Sequence, residues 1–432
     1  MGEQSKDLDV AIIGGGPTGL SACLEISRCL GSECKAVIIE NDSELGGIPR
    51  TCNIFFGMRD LRRLYTGATY ANRLSQSVRN STVSIHTDST VLKIIPGNGT
   101  EKHTIEVLSP SGIEVYHCPY ILLATGCYEA PRAMRVIPGP RQSGVFTTGS
   151  LQEIVHERGE KPGNRAVILG SEHVAFSSAI TLKKAGVSIV GLVEEGTFVN
   201  TYSWIAKAMS AVYRFPIYTE TSVESIIGTD NVEGVALMNN RTKRRFTVPC
   251  DTVIMTGKLR SYSPLIDNTA ITMDVSTAGP MVDNRFMTSV PGIFAAGNVL
   301  RGADMHDLCA IEGREAAQRI IQLIKGKDEV TIDEYTHLRA EFPVRHIVPQ
   351  KISIRELDNT KVNGHRICVS MQLAYTIPNP TLEAWSGNEL IWSRTFSKLI
   401  GNNRVVLPLH TFKWDHKAIK HDIVVKLKDP TS

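Results

Sequence analysis

The chain has 432 residues, which is long enough for two or three domains, each with its own hydrophobic core. A net charge of +3 and the lack of a basic run interleaved with aromatic residues argue against nucleic acid as a partner. No apolar segment is long enough to span a bilayer, so we expect a cytoplasmic protein, or one that reaches a membrane peripherally through a partner.

The first predicted unit contains a glycine turn between a strand and a helix. The apolar run 10–13 predicts a buried strand, and the turn that follows reads Gly14-Gly-Gly16-Pro17-Thr18-Gly19. In this pattern the glycines permit, in order, the tight turn, the approach of a pyrophosphate and close packing of the helix. Glu40 ends the next strand, where a carboxylate can accept the ribose hydroxyls. The pattern predicts a site for the ADP half of a dinucleotide.

The region after this unit alternates strands with turn residues. We predict a strand over 83–95, a hairpin of 105–108 with 113–116, and a buried strand over 120–123. The last strand ends in the small residues Ala124-Thr125-Gly126. The strand 252–255 has a similar ending, and the basic stretch 241–245 predicts a solvated hairpin turn.

A second unit of the same kind begins at Arg165 and predicts an internal duplication. Its turn reads Gly170-Ser-Glu172-His-Val-Ala175, and its second strand ends at Glu194. Glu172 replaces the central glycine, where a carboxylate would crowd and repel a pyrophosphate. Glu194 suits the ribose of NAD and would repel the 2′-phosphate of NADP. We therefore expect the fold of a nicotinamide domain and leave open whether it binds NAD(H).

The rest of the sequence predicts a third strand end and a β-rich tail. The run Pro291 to Asn298 ends a strand and feeds a helix from about Leu308 to Ile324. After Val330 one short helix-like run, 333–340, precedes alternating strands at 367–371, 389–392 and 422–427. We find no chemical motif in this tail.

The cysteines and histidines predict no metal site. The chain has 9 cysteines and no Cys-x-x-Cys pair, which argues against a zinc ribbon, an iron–sulfur cluster or a redox dithiol. His410, His416 and His421 lack metal-ligand spacing.

The strand ends, in this order, resemble the flavoproteins of the glutathione reductase type, the pyridine nucleotide-disulfide oxidoreductases. The resemblance covers residues 1 to about 325 and includes Glu44-Leu-Gly46-Gly47 and Gly297-Asn298. It implies bound FAD, with the residue at 298 against the ribityl chain and the following helix aimed at the isoalloxazine. The residues that it assigns to FAD are Gly14, Gly16, Pro17, Thr18, Gly19, Glu40, Asn41, Gly46, Gly47, Val91, Ala124, Thr125, Gly126, Gly297 and Asn298.

Finer features resemble one branch of these flavoproteins. The runs 46–50, 124–132 and 144–149 and His306-Asp307-Leu look like the FAD subunits of opine oxidases and hydrogen cyanide synthase. They look closer still to the FAD-dependent oxidoreductases that accompany a glycerol-3-phosphate-dehydrogenase-like flavoprotein. This implies work in a multi-subunit dehydrogenase beside a second, substrate-oxidising flavoprotein. Some relatives carry a four-cysteine cluster near the C-terminus, which Cys368 alone cannot build.

The flavin carries the chemistry, so only weak catalytic candidates exist. Cys52 follows the Gly46-Gly47 turn without the second cysteine of the disulfide reductases; it is a redox thiol or a packed apolar residue. His306 either donates to flavin N1 or O2, or is solvated while Asp307 caps the helix. Cys127 is expected near the adenine side.

Several arginines follow the Gly46-Gly47 turn and allow two interpretations. Arg50, Arg59, Arg62 and Arg63 line an anionic substrate or electron-entry surface, or they form the exposed face of a helix predicted over 58–71.

These features predict an α/β fold with two Rossmann-like three-layer domains and a small β-rich C-terminal domain. The expected division is 1–150 and 276–330 for the FAD domain, 151–275 for the inserted NAD(P)-like domain, and 331–432 for the tail. The favoured function is the FAD-dependent flavin subunit of a dehydrogenase for a small metabolite of the glycerol-3-phosphate, hydroxy-acid or amino-acid and opine type. A self-contained NADH-dependent flavin oxidoreductase and a structural subunit without turnover stay open.

The tail has three possible roles. It contacts a second flavoprotein subunit, covers the flavin face or forms a homo-oligomer. If it serves the partner, its removal is expected to leave FAD bound.

Overall fold

The structure is a computed structural model, and it describes residues 5–98, 101–267, 269–329, 334–354, 361–362, 365–366, 368–412 and 421–428. The first part of the chain contains β1 Ser5–Asp7, β2 Val10–Ile13, α1 Pro17–Leu30, β3 Ala36–Ile39, β4 Phe55–Phe56, β5 Tyr65–Thr66, α2 Gly67–Arg79, β6 Ser84–His86, β7 Thr90–Ile95, β8 His103–Ser109, β9 Gly112–Cys118, β10 Tyr120–Leu123, β11 Cys127–Glu129, α3 Arg132–Arg135, β12 Val145–Thr147 and α4 Thr148–His156.

The middle part contains β13 Arg165–Leu169, α5 His173–Lys184, β14 Ser188–Val193, α6 Ser203–Tyr213, β15 Ile217–Tyr218, β16 Thr221–Ile227, β17 Gly234–Asn239, β18 Arg245–Pro249, β19 Thr252–Met255, β20 Leu259–Ser261, β21 Met273–Asp274, β22 Gly279–Pro280, β23 Ile293–Ala295 and α7 His306–Ile324. The last part contains β24 Tyr335–Ala340, β25 Val344–Val348, β26 Lys351–Ser353, β27 Lys361–Val362, β28 His365–Arg366, β29 Cys368–Leu373, β30 Ile377–Pro378, β31 Thr381–Ser386, β32 Glu389–Thr395, β33 Lys398–Leu399, β34 Val405–Pro408 and β35 Ile423–Leu427.

The first unit is a parallel sheet covered on both faces. Its strands run in the order β23-β10-β2-β3-β6, and all neighbours are parallel. The runs 10–13 and 36–39 are apolar and buried throughout, as strands covered on both faces must be. Helices α1, α2 and α7 pack on one face, and β7, β8 and β9 cover the other. This arrangement brings the carboxyl ends of β2, β3 and β10 together at one edge.

The second unit has the same three layers. Its parallel sheet has the order β12-β19-β13-β14-β15, with α4, α5 and α6 on one face and the antiparallel strands β16, β17 and β18 on the other. The duplication predicted from the two glycine turns is therefore present. Strand β12 lies before residue 151, where we predicted the second domain to begin; the predicted domain limits stay a prediction.

The C-terminal region is β-rich, as predicted. A five-stranded sheet of order β26-β24-β35-β31-β32 and a three-stranded sheet of order β25-β29-β34 enclose a common apolar core. Val348 instead packs into the core of the first unit. Gln350 accepts a hydrogen bond from Val282 N at 3.0 Å and donates one to Asp274 Oδ2 at 3.1 Å. The region is thus fastened to the first unit.

The helix predicted over 58–71 was wrong. Residues 55–66 form turns and the small hairpin of β4 and β5, and α2 begins only at Gly67. Arg62, inside the predicted span, adopts a positive φ of 55°, which the interior of a helix does not allow. Thr66 supplies the N-cap, since its Oγ1 accepts a hydrogen bond from Thr69 N.

Two further local predictions need correction. The run 333–340 is not helical where it is described, since 335–340 is β24, whose burial alternates along the strand; Asp333 lies outside the described residues. The predicted strand 83–95 is two strands, β6 and β7, because Asp88 turns the chain at a φ of 50°.

Ile367 and His416 also lie outside the described residues. Within the described ranges, no helix is long and apolar enough to cross a membrane.

Candidate functional site

A cavity of about 400 Å³ follows the first glycine turn at the carboxyl ends of the parallel strands. This is where ligands bind in open α/β sheets. Its walls include most of the residues predicted to hold FAD, namely Gly14, Gly16, Pro17, Thr18, Glu40, Asn41, Gly47, Val91, Ala124, Thr125, Gly126 and Asn298.

Within the turn, only Gly16 faces open space. A Cβ atom on Gly16 would meet no atom of the described part of the chain within 4 Å. A Cβ atom on Gly19 would overlap the carbonyl oxygen of Gly14, so this glycine allows α1 to pack against the turn. Helix α1 begins with Pro17, and no side chain among the described residues caps its N-terminus. The open backbone and the free helix end fit a pyrophosphate.

Three predicted residues shape the backbone and do not line the cavity. Gly19 lies against the carbonyl oxygen of Gly14. Gly46 has a φ of 125°. A side chain at Gly297 would overlap Thr18 Oγ1.

Glu40 is held in place by the backbone around it. Its Oε2 accepts a hydrogen bond from Gly15 N at 2.6 Å, and its Oε1 accepts one from Asp42 N at 2.9 Å. Burial raises the pKa of Glu40, and these hydrogen bonds work in the opposite direction. The carboxylate lines the cavity next to Asn41, a position that suits the adenosine ribose.

The other end of the cavity is at Asn298. Cys309 Sγ donates a hydrogen bond to Asn298 Oδ1 at 3.2 Å, and the thiol of Cys127 also contacts this amide. Cys127, expected near the adenine side, thus contacts the residue that the resemblance assigns to the ribityl chain. Cys127 begins β11, which leads the chain away from the strand end and toward Asn298.

A second cavity, of about 620 Å³, lies between the first unit, the second unit and the C-terminal region. It shares Ile48, Cys127 and His306 with the first cavity, so the two meet at the Asn298 end. Five cationic side chains line it, Arg59, Lys258, Arg301, Arg345 and Arg404, against three carboxylates, Glu129, Glu172 and Asp304. Sequence reasoning missed Arg301, Arg345 and Arg404, because two of them come from the tail that showed no motif.

His306 begins α7 and lines both cavities. Its ring packs edge-on against Phe56, with 4.9 Å between the ring centroids. Burial lowers the pKa of His306 to about 4, although Asp307 acts in the opposite direction. The imidazole is therefore neutral at neutral pH and can donate one hydrogen bond without carrying charge.

The alternative in which Asp307 caps α7 while His306 is solvated was wrong. The N-cap is Met305, and the Asp307 side chain is only 1% exposed. Asp307 accepts hydrogen bonds from Arg59 N at 3.3 Å and from Arg59 Nη1 at 3.2 Å. The pair fastens the loop after β4 to the start of α7.

Cys52 lines the second cavity as a buried thiol. Its Sγ lies 3.7 Å from Ser177 Oγ, and burial raises its pKa, which disfavours the reactive thiolate. It is a free cysteine. These observations favour the packed interpretation over the redox one.

The arginines after the Gly46-Gly47 turn separate in the structure. Arg59 lines the second cavity, whereas Arg50 lines the first and pairs with Asp42 and Glu157, each at 3.3 Å. Arg62 and Arg63 lie outside both cavity walls.

In the second unit, Glu172 fills the glycine turn. Its Oε2 accepts a hydrogen bond from Thr256 Oγ1 at 3.1 Å. A Cβ atom on Gly170 would come within 2.7 Å of the same carboxylate, and one on Gly257 would overlap it. The carboxylate thus lies where a dinucleotide phosphate would bind.

Glu194, which the sequence assigns to the ribose position of the second unit, is hydrogen-bonded to its neighbours in the chain, as Glu40 is in the first unit. Glu194 accepts hydrogen bonds from Ser171 Oγ, from Gly196 N at 2.8 Å and from Asn200 Nδ2 at 3.2 Å. Thr376 of the C-terminal region reaches Asn200 Oδ1 at 3.3 Å. No cluster of potential metal ligands occurs among the described residues.

Comparison with known proteins supports the flavin site. A family model described as pyridine nucleotide-disulphide oxidoreductase matches residues 8–326. The chain is 25% identical over 327 residues to bacilliredoxin reductase Bdr of Bacillus subtilis, covering 70% of this chain and 93% of that protein. It is 24% identical over 353 residues to the glutamate synthase [NADPH] small chain of Escherichia coli, covering 73% and 68%. A shorter match to hydrogen cyanide synthase subunit HcnB of Pseudomonas aeruginosa is 28% identical over 196 residues, covering 44% of this chain and 39% of that subunit.

Solved structures share the fold. Thioredoxin reductase of T. acidophilum superimposes with a TM-score of 0.63 at 20% identity, covering 74% of this chain and 99% of that one. L-proline dehydrogenase from P. horikoshii gives 0.54 at 18% identity, covering 77% and 58%. Since the family model matches most of the sequence, the chain belongs to the pyridine nucleotide-disulphide oxidoreductase family and is an FAD-dependent oxidoreductase.

Proposed function

We propose that this chain is the FAD subunit of a multi-subunit dehydrogenase that oxidises a small metabolite. FAD in such a site supplies two-electron redox chemistry. The chain's own residues position the cofactor: the turn at Gly16 receives its pyrophosphate, Glu40 its ribose hydroxyls, and Asn298 its ribityl chain. The neutral His306 offers a hydrogen bond where the two cavities meet.

One observation carries this proposal, namely the carboxylate of Glu172 inside the second glycine turn. A self-contained NAD(P)H-dependent reductase needs a nicotinamide donor next to the flavin, and this turn already holds an anion. Electrons must then come from a substrate in the second cavity or from another subunit.

The names of similar proteins also support a subunit of a larger enzyme. The relatives include HcnB, a subunit of hydrogen cyanide synthase, and the small chain of glutamate synthase. The structural neighbour with 77% coverage of this chain is an L-proline dehydrogenase. The runs 46–50, 124–132 and 144–149 resemble the FAD subunits of opine oxidases and the flavoproteins that accompany a glycerol-3-phosphate-dehydrogenase-like subunit.

The test is dye reduction by the FAD-loaded chain with glycerol 3-phosphate, 2-hydroxy acids, amino acids and opines as substrates. We expect turnover only when a second flavoprotein subunit is co-expressed and co-purifies in a fixed ratio. Turnover of one of these substrates by the chain alone would overturn the proposal that a partner is required. The control is the partner subunit expressed without this chain.

A second candidate is a self-contained NAD(P)H-dependent flavin reductase. It is favoured by the match to bacilliredoxin reductase, which extends over 93% of that protein. It requires that Glu172 leave the second turn when a dinucleotide binds. Fast, saturable reduction of the flavin by NADH or NADPH would establish it.

A further inference from the structure

The hairpin of β4 and β5, residues 55–66, presents three large apolar side chains to its surroundings. Phe55, Met58 and Leu64 are 58%, 51% and 56% exposed. Single apolar side chains are ordinary on a protein surface, but three on one short hairpin form a patch that needs an explanation.

The other side of the hairpin fixes it to the first unit. Phe56 and Tyr65 pair across the hairpin, and both pack into the core that contains α1 and α2. The carbonyl oxygen of Gly57 accepts hydrogen bonds from Leu61 N at 2.9 Å and from Arg63 N at 3.3 Å, which closes the tip. The outward side chains are therefore presented by a fixed loop.

The charge on and beside the hairpin is positive. Residues 54–79 contain 5 arginines and a single carboxylate, that of Asp60. Asp60 is turned inward, because its Oδ2 accepts a hydrogen bond from Tyr70 OH at 2.7 Å. Arg62 and Arg63 are exposed, and neither forms an ion pair with a described carboxylate. The apolar tip thus carries cations that no carboxylate of this segment balances.

Another exposed apolar pair differs from the hairpin in its charge. Leu108 and Ile113 face each other on β8 and β9 and are 47% and 57% exposed. Glu106 lies two residues before Leu108, on the same face of β8. Apolar exposure alone therefore does not distinguish the β4–β5 hairpin, whereas its combination with unpaired arginines does.

This combination fits the surface of an anionic bilayer. Large apolar side chains enter the boundary between headgroups and acyl chains, and arginines bind the phosphates of anionic lipids. Each of the three side chains is more than half exposed, so it stands out from the surface. Fluid lipid accommodates such projections, whereas a protein partner must offer a matching pocket for each. Repulsion between two arginine-rich hairpins disfavours a second copy of this chain.

We propose that the β4–β5 hairpin binds the surface of anionic membranes through its apolar side chains and its arginines. Phe56 and Arg59 of the same hairpin line the second cavity, so the membrane contact lies beside the cavity that meets the FAD site. The inference goes beyond the proposed function and requires neither turnover nor a partner subunit.

The test is co-sedimentation of the FAD-loaded full chain with lipid vesicles. Vesicles of phosphatidylcholine and anionic phosphatidylglycerol in a ratio of about 7:3 are compared with vesicles of phosphatidylcholine alone. We expect saturable binding to the mixed vesicles and binding about tenfold weaker, or less, to phosphatidylcholine. Added salt should weaken binding to the mixed vesicles, because it screens the arginines.

Two double variants test the two parts of the surface. Phe55→Ser with Leu64→Ser removes apolar area, and Arg62→Ala with Arg63→Ala removes two charges. Each double variant should weaken binding to the mixed vesicles about tenfold or more.

Matched controls carry the same kinds of change elsewhere. Leu108→Ser with Ile113→Ser removes an exposed apolar pair from another hairpin. Lys243→Ala with Arg244→Ala removes two exposed charges from the turn between β17 and β18, and Lys243 has a positive φ, as Arg62 has. Both controls should bind as the unmodified chain does. FAD content and thermal unfolding show whether each variant is folded.

Several results would overturn the membrane contact. These are the absence of binding to the mixed vesicles, equal binding to the two kinds of vesicle, or equal binding by the hairpin variants and their controls. If one double variant fails to fold, the other decides. Loss of a co-purifying subunit, or of a homo-oligomer in sedimentation velocity, in hairpin variants that still bind vesicles normally would make the hairpin a protein interface instead.

Discussion

Gly16 and Gly19 belong to one turn and have different functions in the structure. Gly16 borders open space in the first cavity, with an ordinary φ of −78°, so a larger residue can adopt its backbone conformation. Gly19 lies against the carbonyl oxygen of Gly14, with no room for a side chain. One glycine serves the ligand and the other serves the packing of α1.

We therefore expect opposite effects from substitutions at these two positions. Gly16→Val should weaken FAD binding more than tenfold and change the free energy of unfolding of the apoprotein by less than about 1 kcal/mol. Gly19→Ala should lower that free energy by about 1–3 kcal/mol, because the turn and the helix must move apart. FAD content after purification and urea denaturation of the apoproteins measure both effects. A yellow Gly16→Val protein with normal FAD content would contradict this placement of the pyrophosphate.

Glu172 gives a prediction about nucleotide use. We expect NADPH and NADH to reduce the flavin of the unmodified chain poorly, because both must displace this carboxylate. Glu172→Gly should improve NADH binding by roughly tenfold, since it removes a like charge and its volume from the phosphate position. Stopped-flow absorbance measures flavin reduction, and Glu195→Gln, which removes an exposed carboxylate close by, is the control. NADPH should stay poor, because Glu194 remains. Equal rates in the two variants would mean that the block lies elsewhere.

The site residues that sequence reasoning found are those whose neighbours in the chain decide their role. The spacing within 14–19 and the small residues at 124–126 determine a turn by themselves, so a single sequence predicts them. Arg345 and Arg404 reach the second cavity only because the C-terminal region folds against the first unit, where Arg404 pairs with Asp304 and Glu312. A contact between residues that lie far apart in the sequence leaves no local pattern, so the place of these arginines in the cavity could not be predicted.

At the scale of elements, α7 is fixed at its start by an ion-pair network. Glu312 accepts hydrogen bonds from Gly297 N at 3.0 Å and from Arg301 Nη1 at 2.8 Å, and it pairs with Arg404 Nη2 at 2.7 Å. Burial raises the pKa of Glu312, but Arg301 and Arg404 outweigh it, so the pKa lies below its ordinary value. The network thus ties α7, the loop before it and the C-terminal region together.

This network predicts a pH dependence of stability. The ionised Glu312 stabilises the fold above its ordinary pKa of 4.5, and the contribution is lost as the pH falls through the lower pKa of the folded state. Glu312→Gln should reduce the free energy of unfolding by about 3 kcal/mol at pH 7, because it leaves two buried arginines short of a charge. The difference between the two proteins should shrink toward pH 3.

Urea denaturation at pH 7 and near pH 3 measures this difference. Glu389→Gln changes an exposed carboxylate and should give no difference at either pH. A constant difference at both pH values would show that Glu312 acts through packing and not through its charge.

The helices and strands were predictable where the apolar residues follow one clear pattern, either a continuous buried strand or the period of a helix. The buried strands 10–13 and 120–123 and the helix near 308–324 were confirmed. The helix expected over 58–71 was wrong, because the positive φ value at Arg62 and the N-cap at Thr66 determine where the helix begins, whatever the charge pattern of that segment. A charge pattern indicates an exposed face and does not establish that a helix carries it.

At the scale of the whole molecule, the C-terminal region lines the second cavity together with the other two units. Gln372 Nε2 donates to Ala303 O at 2.7 Å, Arg404 pairs with Asp304 and Glu312, and Val348 packs into the core of the first unit. This favours the role of covering the flavin face, which the sequence left open beside the contact with a partner.

Truncation after residue 330 should therefore not give a stable flavoprotein. It would uncover the apolar surface that Val348 covers and leave Glu312 and Asp304 without Arg404. We expect an insoluble or colourless product, in contrast to the sequence-based expectation that FAD stays bound. Solubility, FAD content and far-UV circular dichroism measure this. A soluble, yellow product would restore the view that the tail serves only a partner.

The carboxylate in the second turn also determines how the two units respond when the cofactor is withdrawn. The first unit gains stability from FAD by mass action and loses it on dilution. The second unit carries its anion covalently attached at position 172, so it behaves as though permanently saturated. Amide hydrogen exchange should then accelerate in the apoprotein at the β2–α1 turn, and should remain slow at the turn between β13 and α5. The glycine turn of the first unit would thus be rigid only with FAD bound, whereas the glycine turn of the second unit would be rigid with or without a ligand.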